Sequence, residues 1–404
     1  MKESKYFAQE KVNPGRQPEL DLLKFLCIVG MIIVHAVLDL GEQGFGDMDA
    51  LLTEFFGAAT FMICMGVGMQ YAHNQTPGAY AARGFAILTL GQFLNIIRNS
   101  LPCLVLYWIT DEQFFIANAL LVLQSDILTF AGLAFLLMAL LKKLKLSDLG
   151  ILIVGLVLNI AAFILCYTVE SPENYLVSQF LAFFIVTKAE AYFPLFAYFI
   201  FVAFGYYIGG YYPRIKDKDA VANRAMLICF PIVAVFYVFR ITNIGMGWLP
   251  ELGSDLSYNL RATPDAIMNC LFTVGILAVL YKFIKHVFKG TCPKIVLQFS
   301  ENINTYYCLS YMFILPLQYI LIATTGELIE SFLVTFLYGI LVCVICYFLI
   351  EMNNKHWNLH ITNLKGWKQV AFVVLVWAAT VAIVVYAYPR IEVFANIWND
   401  YLLE

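Results

Sequence analysis

The chain has 404 residues, of which 61% are hydrophobic and only 13% charged, with a mean hydropathy of +0.77. Soluble domains are roughly 45–50% apolar and about 25% charged, and soluble cores built from a chain of this length could not bury so much apolar surface. A net charge of −3 and a pI near 6.0 exclude a nucleic-acid partner, which would need clustered basic side chains. The composition is that of an all-α, polytopic integral membrane helix bundle.

A helix needs about 20 apolar residues to cross the hydrocarbon core. Eleven runs of that kind lie near 20–40, 51–71, 84–109, 117–141, 149–168, 192–212, 225–242, 265–287, 303–323, 331–351 and 369–388. The stretch 176–187 is too short to cross and is expected to lie in the interface or re-enter. Lys2, Lys5, Lys11 and Arg16 precede the first run, which has no A-x-A-like cleavage site, so it reads as an uncleaved span. Placing the N-terminus in the cytoplasm puts 20 of the 25 basic residues in cytoplasmic segments, while the outer loops are acidic. The expected organisation is therefore a cytoplasmic segment 1–19, a transmembrane domain 20–388 and an extracytoplasmic tail 389–404. The outer loop 243–264, rich in Gly, Asn and Ser, is placed to cover a site.

Ionisable groups within spans are costly and mark functional positions. In the first span His35 and Asp39 lie one helical turn apart on one face, near the outer end. A carboxylate there can accept from one imidazole nitrogen and raise the basicity of the other, which suits a general base or nucleophile. The bland alternative is a histidine satisfied by a neighbouring helix, with Asp39 wet at the interface. Lys24 lies eleven residues before His35, about 16 Å along the helix, where a snorkelling lysine is the plain reading. The third span carries Gln92, Asn95 and Asn99 on one stripe with Arg98 beside it, and Asp126 in the fourth is the expected ion-pair partner of Arg98. The same residues could line a substrate path, together with Tyr206 in the sixth span and Arg240 at the outer end of the seventh. Arg83, at the cytoplasmic mouth of the third span, offers a guanidinium that binds phosphate oxygens in pairs; ordinary positive-inside bias is its alternative.

Most of the ten cysteines lie in apolar runs, where they act as small hydrophobes. Cys343 and Cys346 form a C-x-x-C without a second ligand pair, so no metal site is expected. There is no P-loop, Rossmann fingerprint, H-E-x-x-H or G-x-S-x-G.

The run from Glu19 to Leu40, with Asp21, Lys24, His35 and Asp39, closely resembles the opening of membrane acyltransferases: the acyltransferase-3 family and the heparan-α-glucosaminide N-acetyltransferase-like family. The acyltransferase-3 pattern is an Arg followed by ten residues and an essential His, and Lys24 and His35 keep that spacing with Lys in place of Arg. Further stretches are similar: Phe61–Gly68, Arg83-Gly84, Ser125–Leu133, Gly205–Gly209 and Ser300–Tyr307. Ser310 stands where many acyltransferase-3 proteins have a second His, and the loop 40–50, where the glucosaminide enzyme carries its catalytic His, has none here.

The resemblance implies an enzyme that moves an acyl group, acetyl first of all, from cytoplasmic acyl-CoA to a hydroxyl or amine of an extracytoplasmic sugar, glycan or glycolipid. Acetyl-CoA would be a co-substrate and no cofactor would stay bound. Lys24 and Arg83 would contact the CoA, and His35 with Asp39 would do the chemistry. Membrane lipids are the standing partners, a homodimer is left open, and the expected location is a bacterial cytoplasmic membrane. A secondary transporter or flippase using His35, Asp39, Arg98 and Asp126 as a relay is the rival reading, although no repeated halves with broken helices are visible.

Overall fold

The computed structural model describes residues 5–42, 57–169, 172–187, 192–241, 262–357 and 366–391. Helices account for the described chain apart from short connections: α1 Pro18–Leu40, α2 Ala58–Tyr71, α3 Pro77–Thr110, α4 Gln113–Leu123, α5 Ile127–Lys143, α6 Asp148–Thr168, α7 Tyr175–Ala182, α8 Leu195–Tyr211, α9 Lys218–Ile241, α10 Thr263–Val287, α11 Lys294–Glu301, α12 Ile303–Thr325, α13 Phe332–Met352 and α14 Trp367–Ala387. No strand forms among the described residues; isolated bridges join Phe7 to Ile215 and Gly41 to Ile329.

Nine of these helices, α1, α3, α6, α8, α9, α10, α12, α13 and α14, are long and apolar enough to cross a membrane. Their outward faces carry bare aliphatic side chains, as on α9 (Leu227, Ile228, Val235, Val238) and α14 (Val370, Val374, Leu375). Apolar surface on that scale belongs against lipid, and the protein is a multi-pass membrane protein. The expected run 117–141 is not one helix. It divides at Gln124-Ser125-Asp126, because Asp126 adopts an extended conformation and its Oδ1 accepts from the Thr129 amide at 2.9 Å, which starts α5 afresh. Of the expected run 51–71 the described part is the 14-residue α2. The stretch near 176–187 forms the eight-residue α7, too short to span. Most of loop 243–264, most of loop 40–50 and the tail from 392 lie outside the described residues; Thr263 and Pro264 already belong to α10.

Packing follows from small residues where helices cross. Gly66 on α2 and Gly205 on α8 face each other so closely that a methyl on either would overlap the other helix's backbone; α8 is clasped between α2 and α6. Gly84 on α3 and Gly132 on α5 make a second crossing of the same kind. In lipid, where apolar burial drives association little, such close approach supplies the van der Waals contact. α1 is the hub: α13, α12, α11 and α10 all pack along it, and Leu23, Ile32, Ala36, Val37 and Leu40 are fully buried there.

α3 is the longest helix, 34 residues, or about 51 Å at 1.5 Å per residue. Its middle turn, Ile96–Ser100, is π-helical, with the Leu101 amide bonding the Ile96 carbonyl. Pro102 explains the widening: it has no amide for the Arg98 carbonyl and its ring would crowd that oxygen in a regular helix.

Leu placed at Gly205 should force α8 off α2 and destabilise the protein by about 1–3 kcal/mol or more. Ala placed at Gly68, whose Cβ would meet nothing within 4 Å, should be neutral. Thermal melts of the two purified variants check the contrast.

Candidate active site

His35 projects from the last two turns of α1, with Asp39 one turn on. Its Nδ1 lies 3.2 Å from Asp39 Oδ2, with the two side chains 33% and 25% exposed. With Nδ1–H donating to Asp39 Oδ2, the lone pair of the ring is carried on Nε2, which is then the basic atom. This is the arrangement the i, i+4 spacing predicts.

The other side of the imidazole rests on Tyr311 of α12, ring centroids 4.8 Å apart. Tyr311 in turn covers the Arg98 guanidinium, whose Cζ is 4.6 Å from the ring centre. Arg98 Nη2 pairs with Asp126 Oδ2 at 3.2 Å, both side chains almost wholly buried, and donates to Asn95 Oδ1 at 2.7 Å and Gln124 Oε1 at 3.2 Å. Tyr307, one turn before Tyr311, donates to Asp126 Oδ2 at 3.3 Å. Asn99 donates to Gln124 Oε1 at 3.1 Å and accepts from the Tyr319 hydroxyl at 3.3 Å. The predicted stripe on α3, the α4–α5 junction and one face of α12 thus form a single buried network that reaches His35 through an aromatic ring.

Local structure aims these groups. The π turn of α3 carries Arg98 and Asn99 and shifts their phase relative to Gln92 and Asn95, letting all four face inward. The break before α5 leaves Asp126 with one oxygen for the helix cap and the other for Arg98 and Tyr307. Around this network Gln92 Oε1, Arg98 Nε, Ser125 Oγ and Thr129 Oγ1 are buried with no hydrogen-bond partner among the described residues. Buried polar atoms are rarely left so, and together they make the site's wall able to donate and accept hydrogen bonds beyond the protein's own.

The remaining predicted residues sit elsewhere. Lys24 is half-buried and Arg83 exposed, both near the N-terminal ends of α1 and α3, away from His35. Neither has an ion-pair partner among the described residues, and Arg83 lies 5.1 Å from the Phe135 ring centre. Tyr206 does not join the network: it accepts from Lys142 Nζ at 3.0 Å. Lys142 is sixteen residues along α5 from Asp126, about 24 Å, so Tyr206 belongs to the opposite end of the bundle. The Arg240 side chain and Asn243 lie outside the described residues. No cluster of three or more metal-ligating side chains occurs among the described residues.

Tyr311 and Tyr319 are the site residues that sequence reasoning passed over, and Tyr307 figures there only as the end of a family-like stretch, without a role. Their signal was present as tyrosines at i, i+4 and i+12 within an apolar run, a repeat that places all three near one helix face.

The family model for "Heparan-alpha-glucosaminide N-acetyltransferase, catalytic" matches residues 16–236. That is more than half of the chain, and the chain belongs to this family of membrane acetyltransferases. No curated protein and no solved structure matches it. Stretches singled out in the sequence for their likeness to membrane acyltransferases meet in space: Gly66 with Gly205, Gly84 with Gly132, Ser300 Oγ with Asp21 Oδ1 at 2.5 Å, and Tyr307 with Asp126.

Replacing Arg98 by Met leaves Asp126 charged, buried and unpaired, and should destabilise the protein by about 3–5 kcal/mol. Adding Asp126→Asn to Arg98→Met should recover much of that loss, because no uncompensated charge remains. Thermal melts of the single and double variants check the coupling.

Proposed function

We propose that the protein transfers an acetyl group from cytoplasmic acetyl-CoA to a hydroxyl or amine of a sugar, glycan or glycolipid on the outer side, with His35 as the base. Membership in a membrane acetyltransferase family favours acyl transfer over the relay of a transporter. The single observation that carries the assignment to His35 is the 3.2 Å contact of His35 with Asp39, half-open to the exterior and backed by the Tyr311–Arg98 stack.

In the direct reaction, Nε2 takes the acceptor's proton while the acceptor oxygen or nitrogen bonds the acetyl carbonyl carbon. The C–S bond then breaks, and CoA leaves as the thiolate and is protonated. Asp39 holds the imidazole in the productive tautomer and stabilises the imidazolium. In the two-step version Nε2 attacks the thioester carbonyl carbon, the C–S bond breaks and CoA leaves as the thiolate. The acceptor then attacks the acetyl-imidazolium, its N–C bond breaks to free Nε2, and the acceptor's proton passes to the thiolate or to water. Lys24 and Arg83, at the other end of α1 and α3, are the proposed contacts for the CoA phosphates; Lys24 acts as a point charge and lacks the paired donors of an arginine.

His35→Ala should cut kcat by about 10²–10⁴, read as acceptor-dependent thiol release from acetyl-CoA. The variant should still melt higher in the presence of acetyl-CoA. Asp39→Asn should lower kcat with little change in KM for the donor, whereas Arg83→Ala should raise that KM. Thiol release that survives His35→Ala would remove His35 from the chemistry. Parallel double-reciprocal plots would favour the acetyl-histidine route, and intersecting ones the direct route.

A further inference from the structure

A cavity of about 290 Å³ lies at the opposite end of the bundle, between the last turns of α8, the first turns of α9 and the C-terminal half of α10. Glu19, which bonds a lysine in its wall, is sixteen residues from His35 along α1, about 24 Å, so the cavity is separate from the site above. Its roof is the N-terminal segment. The Ala8 amide donates to the Arg214 carbonyl at 2.8 Å and the Lys216 amide to the Tyr6 carbonyl at 2.9 Å. These bonds set the Phe7 ring edge-on to Tyr211, centroids 6.1 Å apart.

The wall has little charge to offer. Lys218, the cation in the lining, donates to Glu19 Oε1 at 2.8 Å and to Gln17 Oε1, and its Nζ lies 5.3 and 5.6 Å from the centres of the Tyr212 and Tyr281 rings. With that charge answered, a phosphate gains nothing there. The lining hydroxyls are also engaged: Tyr212 donates to Glu19 at 2.8 Å, Tyr281 to Asp219 at 3.4 Å and Tyr207 to the Tyr211 oxygen at 3.3 Å. This leaves the Tyr211 O–H as a donor, among ring faces and the aliphatic side chains of Ile208, Leu277, Ala222 and Ala278. α9, one wall, turns Leu227 and Ile228 outward, an apolar outer face suited to lipid.

We propose that this cavity holds an ester-linked acyl chain of a membrane lipid, with the ester carbonyl accepting from Tyr211 and the chain lying between α9 and α10 under Phe7. A long apolar ligand with one hydrogen-bond acceptor at its end matches the lining, and a polar or anionic one does not. The site adds a structural lipid to the protein and is independent of the reaction assigned to His35.

The test uses the full-length protein purified in detergent and incubated with phosphatidylcholine spin-labelled along one chain. Wild type should keep an immobilised chain through size exclusion, displaced by unlabelled phosphatidylcholine but not by acetyl-CoA. Ala278→Trp and Ala222→Phe, which fill the cavity from two walls, should weaken retention by about tenfold. Leu227→Trp, on the exposed outer face, should leave it unchanged. No immobilised chain in wild type, retention unaffected by the filling variants, or displacement by acetyl-CoA would each overturn the proposal. Should one filling variant fail to fold, the other, with the competition experiment on wild type, decides.

Discussion

A charge inside a membrane protein persists only when another charge and enough hydrogen bonds answer it. The Arg98–Asp126 pair is that constraint here, and much of this end of the bundle is arranged to meet it. α3 widens into a π turn where Arg98 sits, the chain breaks between α4 and α5 so that Asp126 can face it, and α12 contributes Tyr307 to the carboxylate and Tyr311 to the guanidinium. Each of these departs from a regular apolar span, and together they bring the pair and its partners within reach of one another. His35 leans on the last member of the set, so the environment of the proposed base depends on an ion pair it does not touch.

α1 joins two ends of different character. Its first turn carries Glu19 and Asp21, both buried and held by Lys218, Tyr212, Arg16 and Ser300. Arg16 lies just outside the span, where its hydrogen bond to Asp21 raises the guanidinium above its ordinary pKa. Its last turns carry His35 and Asp39. α10 to α13 all pack against this one continuous helix, which carries both Lys24 and His35. Under the proposed reaction this one helix would link the Lys24 end to the His35 end.

Much of this was legible in the sequence, for reasons particular to each element. Apolar runs of about 20 residues located the nine long helices, because lipid demands length and composition alone. His35 with Asp39 and the stripe of Gln92, Asn95 and Asn99 were legible because one helix's geometry places residues three and four apart together. The Arg98–Asp126 pair was legible because so few partners for a buried cation exist in an apolar chain. Contacts between distant segments were not: Tyr307 meets Asp126 across 181 residues and Tyr319 meets Asn99 across 220, and no local pattern announces either. Hydropathy alone also ran α4 and α5 together, since a capping aspartate weighs little in a window average. The separation of Tyr206 from the Arg98 network was not legible for a related reason: a tyrosine in a span has no depth until its partner, Lys142, is known.

The central claim is that the two ends of α1 act on one reaction, with the donor entering at the Lys24 end and the acetyl group leaving at the His35 end. The most direct measurement uses sealed proteoliposomes of known orientation, with radiolabelled acetyl-CoA confined to the side of the α1 N-terminus and a carbohydrate acceptor confined to the other. The account predicts label on the enclosed acceptor with wild-type protein and none with His35→Ala of the same fold and orientation. Equal labelling by the two proteins, or labelling only when donor and acceptor share a side, would contradict it.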